Sequence, residues 1–121
     1  MTCLTILEYP DPRLRTVARR VETVDDEVRA LVADMLETMY AAEGVGLAAT
    51  QVDVHERLIV MDTSDTRDHP IVLINPEITL LTDQMEEGWE GCLSVPGMRG
   101  VVPRVMRLRY SGFDENGQRF T

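Results

Sequence analysis

The most constraining feature of this 121-residue chain is a change of hydrophobic period part-way along it. From residue 25 to about 42 the apolar positions are Val28, Leu31, Val32, Met35, Leu36, Met39 and Tyr40. That is the i, i+3, i+4, i+7 series of a helix with one buried stripe. Thr23 or Asp25 can cap its start, Asp26 and Glu27 suit the positive end of the helix dipole, and Gly44 is a natural stop. Beyond it the spacing is that of strands. Arg57–Asp62 and Ile71–Asn75 are short β-branched runs, the second closed by Pro76, and Glu77–Thr82 is a weaker run. Val101–Val102 and Met106–Phe113 are further candidates. Asp114-Glu115-Asn116-Gly117 reads as a hairpin turn, since Asn and Gly both tolerate positive φ. Residues 9–13, with Pro10 and Pro12, read as an irregular arm. No linker or repeat divides the chain, so residues 1–121 are expected to form one domain.

Charge and composition then exclude several classes. Twelve Arg and no Lys stand against 21 acids, for a net charge of -9. That argues against charge-driven binding to nucleic acid or anionic lipid. No apolar run approaches the roughly 20 residues of a membrane-spanning helix, and no secretory signal opens the chain. Cys3 and Cys92 lie far apart and form no CxxC, which points to a reducing, cytoplasmic setting.

Two segments are too unusual for ordinary core. The first, Gly44-Val45-Gly46-Leu47-Ala48-Ala49-Thr50-Gln51, follows the helix. Its small residues let backbone approach closely, and Gln51 brings an amide that both donates and accepts; a glycine C-cap with a tight loop explains it equally well. It is not a dinucleotide fingerprint, because it follows a helix and lacks GxGxxG spacing. The second runs from Glu86 to Gly97 and sets Cys92 between Gly91 and Leu93 on a loop dense in glycine and acid. Cys92 can be an inert packed thiol or a ligand. Catalytic thiols need a base and this loop offers acids, whereas a bound divalent cation deprotonates a thiol outright.

Together the two segments resemble peptide deformylase, a metal-dependent hydrolase that removes the formyl group from new bacterial polypeptides. Gly44, Gly46, Ala48, Ala49 and Gln51 match the family's GxGxAAxQ, and Glu90, Gly91, Cys92, Leu93 and Ser94 match its EGCLS. The likeness extends to residues 9–14, to residues 35–40, to Ile74-Asn75-Pro76 and to Val102-Pro103-Arg104. The third motif, HExxH, is not among these residues. His55-Glu56-Arg57-Leu58-Ile59 begins like it but has Ile59 where the second histidine belongs, and His69 reads as a solvated loop residue. By family order the two histidine ligands and the glutamate are expected beyond Thr121.

The resemblance implies an α+β fold of short, mostly antiparallel strands with an N-terminal amphipathic helix, around a central metal-binding helix absent from these residues. It implies Cys92 as one metal ligand, with Fe²⁺ the usual ion and Zn²⁺, Ni²⁺ or Co²⁺ able to substitute. Gln51 and the Leu93 N–H become oxyanion donors. Val45, Gly46 and Arg99 hold the substrate, a formylated nascent peptide met near the ribosome. Glu90 and Arg104 are expected to pair and fix the Cys92 loop, while Trp89 lines a methionine pocket or covers the core. No nucleic-acid or membrane partner is implied. Without HExxH the 121 residues are expected to be inactive; the alternative is a non-catalytic, deformylase-like peptide-binding protein.

Overall fold

A computed structural model describes residues 3–121. The helical stripe forms α1, Asp26–Ala41, capped by Asp25, whose carboxylate accepts from the Val28 N–H at 3.0 Å. At its other end the Glu43 N–H donates to Tyr40 O at 3.0 Å and the Gly44 N–H to Met39 O at 2.9 Å. Those two bonds satisfy carbonyls the helix would otherwise strand. The left-handed residue there is Glu43, φ 59°, and not Gly44 as the sequence suggests. Gly44 answers a different need: a Cβ on it would lie 2.6 Å from Leu93 Cδ1.

The strands are β1 (Gly46–Ala48), β2 (Leu58–Met61), β3 (Ile71–Leu80), β4 (Met85–Cys92), β5 (Val95–Val105), β6 (Leu108–Phe113) and β7 (Arg119–Phe120). Five make one antiparallel sheet in the order β1-β2-β3-β6-β7, and β4-β5 form a separate antiparallel hairpin. The expected α+β class is the observed one. Val28, Val32, Met35 and Met39 of α1 meet Leu47, Leu58, Val60 and Ile74 of the sheet. Met35 and Met39 are fully buried, each worth about 1.5–3 kcal/mol of apolar transfer.

Three elements differ from the sequence reading. Pro76 does not end the third strand, because β3 runs through it and joins two expected runs. Asn75 turns left-handed at φ 52° and the register slips between Ile74 and Glu77, so Pro76 sits where the ladder asks for no donor. The Cys92 segment is a strand and not a loop; its glycines and acids hide the β pattern, yet its backbone pairs with β5 from Met85↔Val105 to Gly91↔Arg99. In the last turn Gly117 alone is left-handed, φ 77°, and its N–H donates to Asp114 O at 3.0 Å. Among the described residues no helix is long and apolar enough to cross a membrane.

Candidate active site

The two unusual segments converge on one cleft. A 3-10 turn, Ala49–Val52, carries Gln51 out of β1, and the turn between β4 and β5 carries Leu93. The Ala48 N–H donates to Gln51 Oε1 at 3.0 Å. That bond fixes the amide's orientation and leaves its two N–H groups facing away from Ala48. Nε2 then donates to Ser94 Oγ at 3.0 Å and lies 3.7 Å from Cys92 Sγ. Residues 41 apart in sequence thus share one hydrogen-bonded corner.

The cleft holds about 890 Å³ and is lined by Val45, Gly46, Gln51, Cys92, Leu93 and Arg99 among others. All six candidate site residues therefore meet in one place. Val45 O accepts from the Asp62 N–H at 2.9 Å on the β2 side. Alternation along the strand turns the Gly46 N–H and C=O the other way, toward the cleft. On the far wall Arg99 lies opposite Gly91 in the β4–β5 register.

Neighbouring contacts brace this corner. Arg104 donates to both carboxylate oxygens of Glu90 at 2.8 and 2.7 Å, the expected pair, and those bonds hold Glu90 below the usual carboxylate range. The N-terminal arm reaches both motifs: the Leu7 N–H donates to Gln51 O and the Tyr9 N–H to Ser94 O, each at 2.7 Å. No side-chain pattern announces those bonds, because the arm contributes backbone alone. Beside them Arg13 bridges Asp11 and Asp53, and its hydrogen bonds draw Asp11 down to about 2.

Other residues stand apart from the cleft. His55 Nε2 meets Asp53 Oδ1 at 2.8 Å, and His69 is exposed beside Asp68. Trp89 is 67% exposed opposite Val101, so it covers no core and lines no part of this cleft among the described residues. Nowhere among the described residues do three His, Cys, Asp or Glu side chains gather as a metal site would require. The cleft offers an ion one exposed thiol, a fitting single ligand and not a closed set.

Comparison with known proteins agrees with this geometry. The family model described as polypeptide deformylase matches residues 3–121. The chain belongs to that family. The peptide deformylase of Chromohalobacter salexigens is 62% identical over 97% of this chain and 69% of its own. That of Azotobacter vinelandii is 58% identical over 99% of this chain and 71% of its own. The crystal structure of the Ehrlichia chaffeensis peptide deformylase with actinonin superposes at a TM-score of 0.94 and 40% identity, covering 99% of this chain and 73% of that one. The Legionella pneumophila peptide deformylase gives 0.92 at 43% identity, covering 98% and 70%.

Proposed function

We propose that the cleft serves the hydrolytic removal of the formyl group from formyl-methionyl nascent polypeptides, with Cys92 as one ligand of a divalent metal. Family membership supports the reaction class. The observation that carries the residue roles is the corner where Gln51 Nε2 lies 3.7 Å from Cys92 Sγ with its amide oriented by Ala48. A divalent ion, Fe²⁺ by family habit, supplies Lewis acidity and an activated water when bound. By the family's pattern, two histidines would join Cys92 in holding the ion and a glutamate would carry the proton, all three from an HExxH segment that is not among these residues.

The chain's own residues do the rest. Gln51 is preorganised: one N–H is held by Ser94 Oγ, and the amide cannot flip without losing the Ala48 bond. With the Leu93 N–H it offers two donors to the oxygen on which charge develops, each worth roughly 3–4 kcal/mol in comparable hydrolases. β1 pairs with β2 along one edge only, so the Gly46 backbone can take an extended peptide as an added strand. Arg99 supplies a cation on the cleft wall for that peptide.

The test measures formate release from formyl-Met-Ala-Ser under anaerobic Fe²⁺ or Ni²⁺. The 121 residues alone are expected to release none, and the same chain continued through an HExxH segment to turn over. In the continued chain Cys92→Ala should abolish metal binding, whereas Gln51→Ala should keep the metal and lower kcat by about 10²–10³. An unchanged kcat removes Gln51 from the mechanism, and turnover by the 121 residues alone overturns the ligand set.

A further inference from the structure

Arg67 sits outside the cleft, in the loop joining β2 to β3, and is itself left-handed at φ 59°. Its guanidinium forks across two segments. One amine donates to Asp62 O at 2.8 Å, and the other donates to Gly44 O. Its Cζ lies over the Tyr40 ring, 5.3 Å from the centroid. Tyr40 in turn donates to Asp62 Oδ2 at 2.6 Å, closing a ring of contacts from the end of α1 to the end of β2.

That ring is placed where the cleft wall needs support. Gly44 has left the helix and β1 has not yet begun, so the ladder to β2 does not hold it. The Asp62 carbonyl is taken by Arg67, while the Asp62 N–H holds Val45 O. Gly44 is also the floor on which Leu93 packs, since a Cβ there would meet that side chain at 2.6 Å. Movement of Gly44 would therefore shift the Gly46 edge and the Leu93 turn together.

We propose that Arg67 is a positioning residue for the peptide-binding cleft, fixing the Gly44–Gly46 edge against β2 and the Leu93 turn through the Gly44 carbonyl. The role in peptide binding rests on the function proposed above; the role in fixing the edge does not. Only a planar fork spans two carbonyls while lying on an aromatic face, so lysine is a partial substitute.

Two measurements on the chain continued through an HExxH segment test it: amide hydrogen exchange by segment, and affinity for formyl-Met-Ala-Ser. Arg67→Ala should speed exchange across residues 44–48 by about tenfold or more while α1 and β3 stay within about twofold, as loss of a local hydrogen-bonded clamp requires. Kd should rise about tenfold, with Arg67→Lys lying between Ala and the native chain. Faster exchange spread evenly over α1 and β3 would make Arg67 a general stabiliser, and no change in residues 44–48 would also overturn the proposal. If the native chain binds no peptide, the functional reading fails and the exchange pattern still decides the positioning role. If it binds and Arg67→Ala binds equally well, the functional reading stands and the positioning role fails.

Discussion

Glu43 and Gly44 divide a task that one glycine often performs. Glu43 takes the left-handed backbone that ends α1, and Gly44 leaves the space that Leu93 fills. A side chain at φ 59° carries a cost that glycine escapes. Glu43→Gly is therefore expected to stabilise the fold by about 0.5–1 kcal/mol, read as a higher urea midpoint. Gly44→Ala should do the reverse and lose about 1–3 kcal/mol, because overpacking at 2.6 Å must displace Leu93. The residues of this corner are legible as motif letters, and the structure brings Cys92 and Gln51 within 3.7 Å of each other. Which of two adjacent residues turns left-handed was not legible, because both lie past the last helical position and only the packing of Leu93 assigns the roles.

Elements were legible where apolar residues kept a period and illegible where backbone did the work. The α1 stripe and the inward side of β2 show their spacing, whereas β4 spends its positions on Glu86, Glu87, Gly88 and Gly91 and pairs all the same. The sequence pattern ends a strand at Asn75, whereas in the structure β3 runs through it and its side chain clamps the arm. Its Oδ1 accepts from the Val21 N–H and its Nδ2 donates to Val21 O, both at 2.8 Å. Asn75→Ala leaves both Val21 groups buried without partners, so about 2–4 kcal/mol should be lost in equilibrium unfolding. The end of β2 predicts a pH profile. Asp62 is fully buried and lies well below the carboxylate range, first through the Ser64 hydroxyl and then through the Tyr40 hydroxyl. Tyr40 is pushed up to about 12, chiefly by burial and then by donating to Asp62. A depressed carboxylate stabilises above its ordinary pKa, so Asp62 support falls away as pH drops below about 4. A raised phenol stabilises below its ordinary pKa, so Tyr40 support falls away as pH climbs from about 10 to 12. Urea midpoints across that range should show Ser64→Ala flattening the acid limb more than Tyr40→Phe, and only Tyr40→Phe flattening the alkaline limb. A flatter acid limb in Tyr40→Phe than in Ser64→Ala would reverse the assigned order of causes, and equal limbs would remove it.

At the scale of the whole chain, apolar surface and net charge pull in opposite directions. In the β4–β5 hairpin Met85, Trp89 and Val101 lie on one face by register, with Trp89 67% and Met85 61% exposed. At the far end of β3 and β6, Ile78, Leu80 and Leu108 are exposed as well. A two-stranded hairpin is marginal alone, and apolar faces of this kind are gathered by a partner surface or by another copy. Opposing that, a net charge of -9 on 121 residues repels a second copy at long range. Salt screens the repulsion, with a Debye length of about 30 Å at 0.01 M and about 10 Å at 0.1 M, and leaves the apolar attraction in place. The 121-residue chain is therefore expected to self-associate more as ionic strength rises. Light scattering behind size exclusion at about 0.01 M and 0.5 M KCl reads this directly, as a weight-average mass that grows with salt. Trp89→Glu, which adds charge and removes the largest exposed ring, should suppress the growth without unfolding α1. A mass that falls with salt would assign the association to ion pairs, since screening weakens those and spares apolar contact. A monomer at both salt concentrations would show that these faces do not attract one another strongly enough to offset the entropy of association.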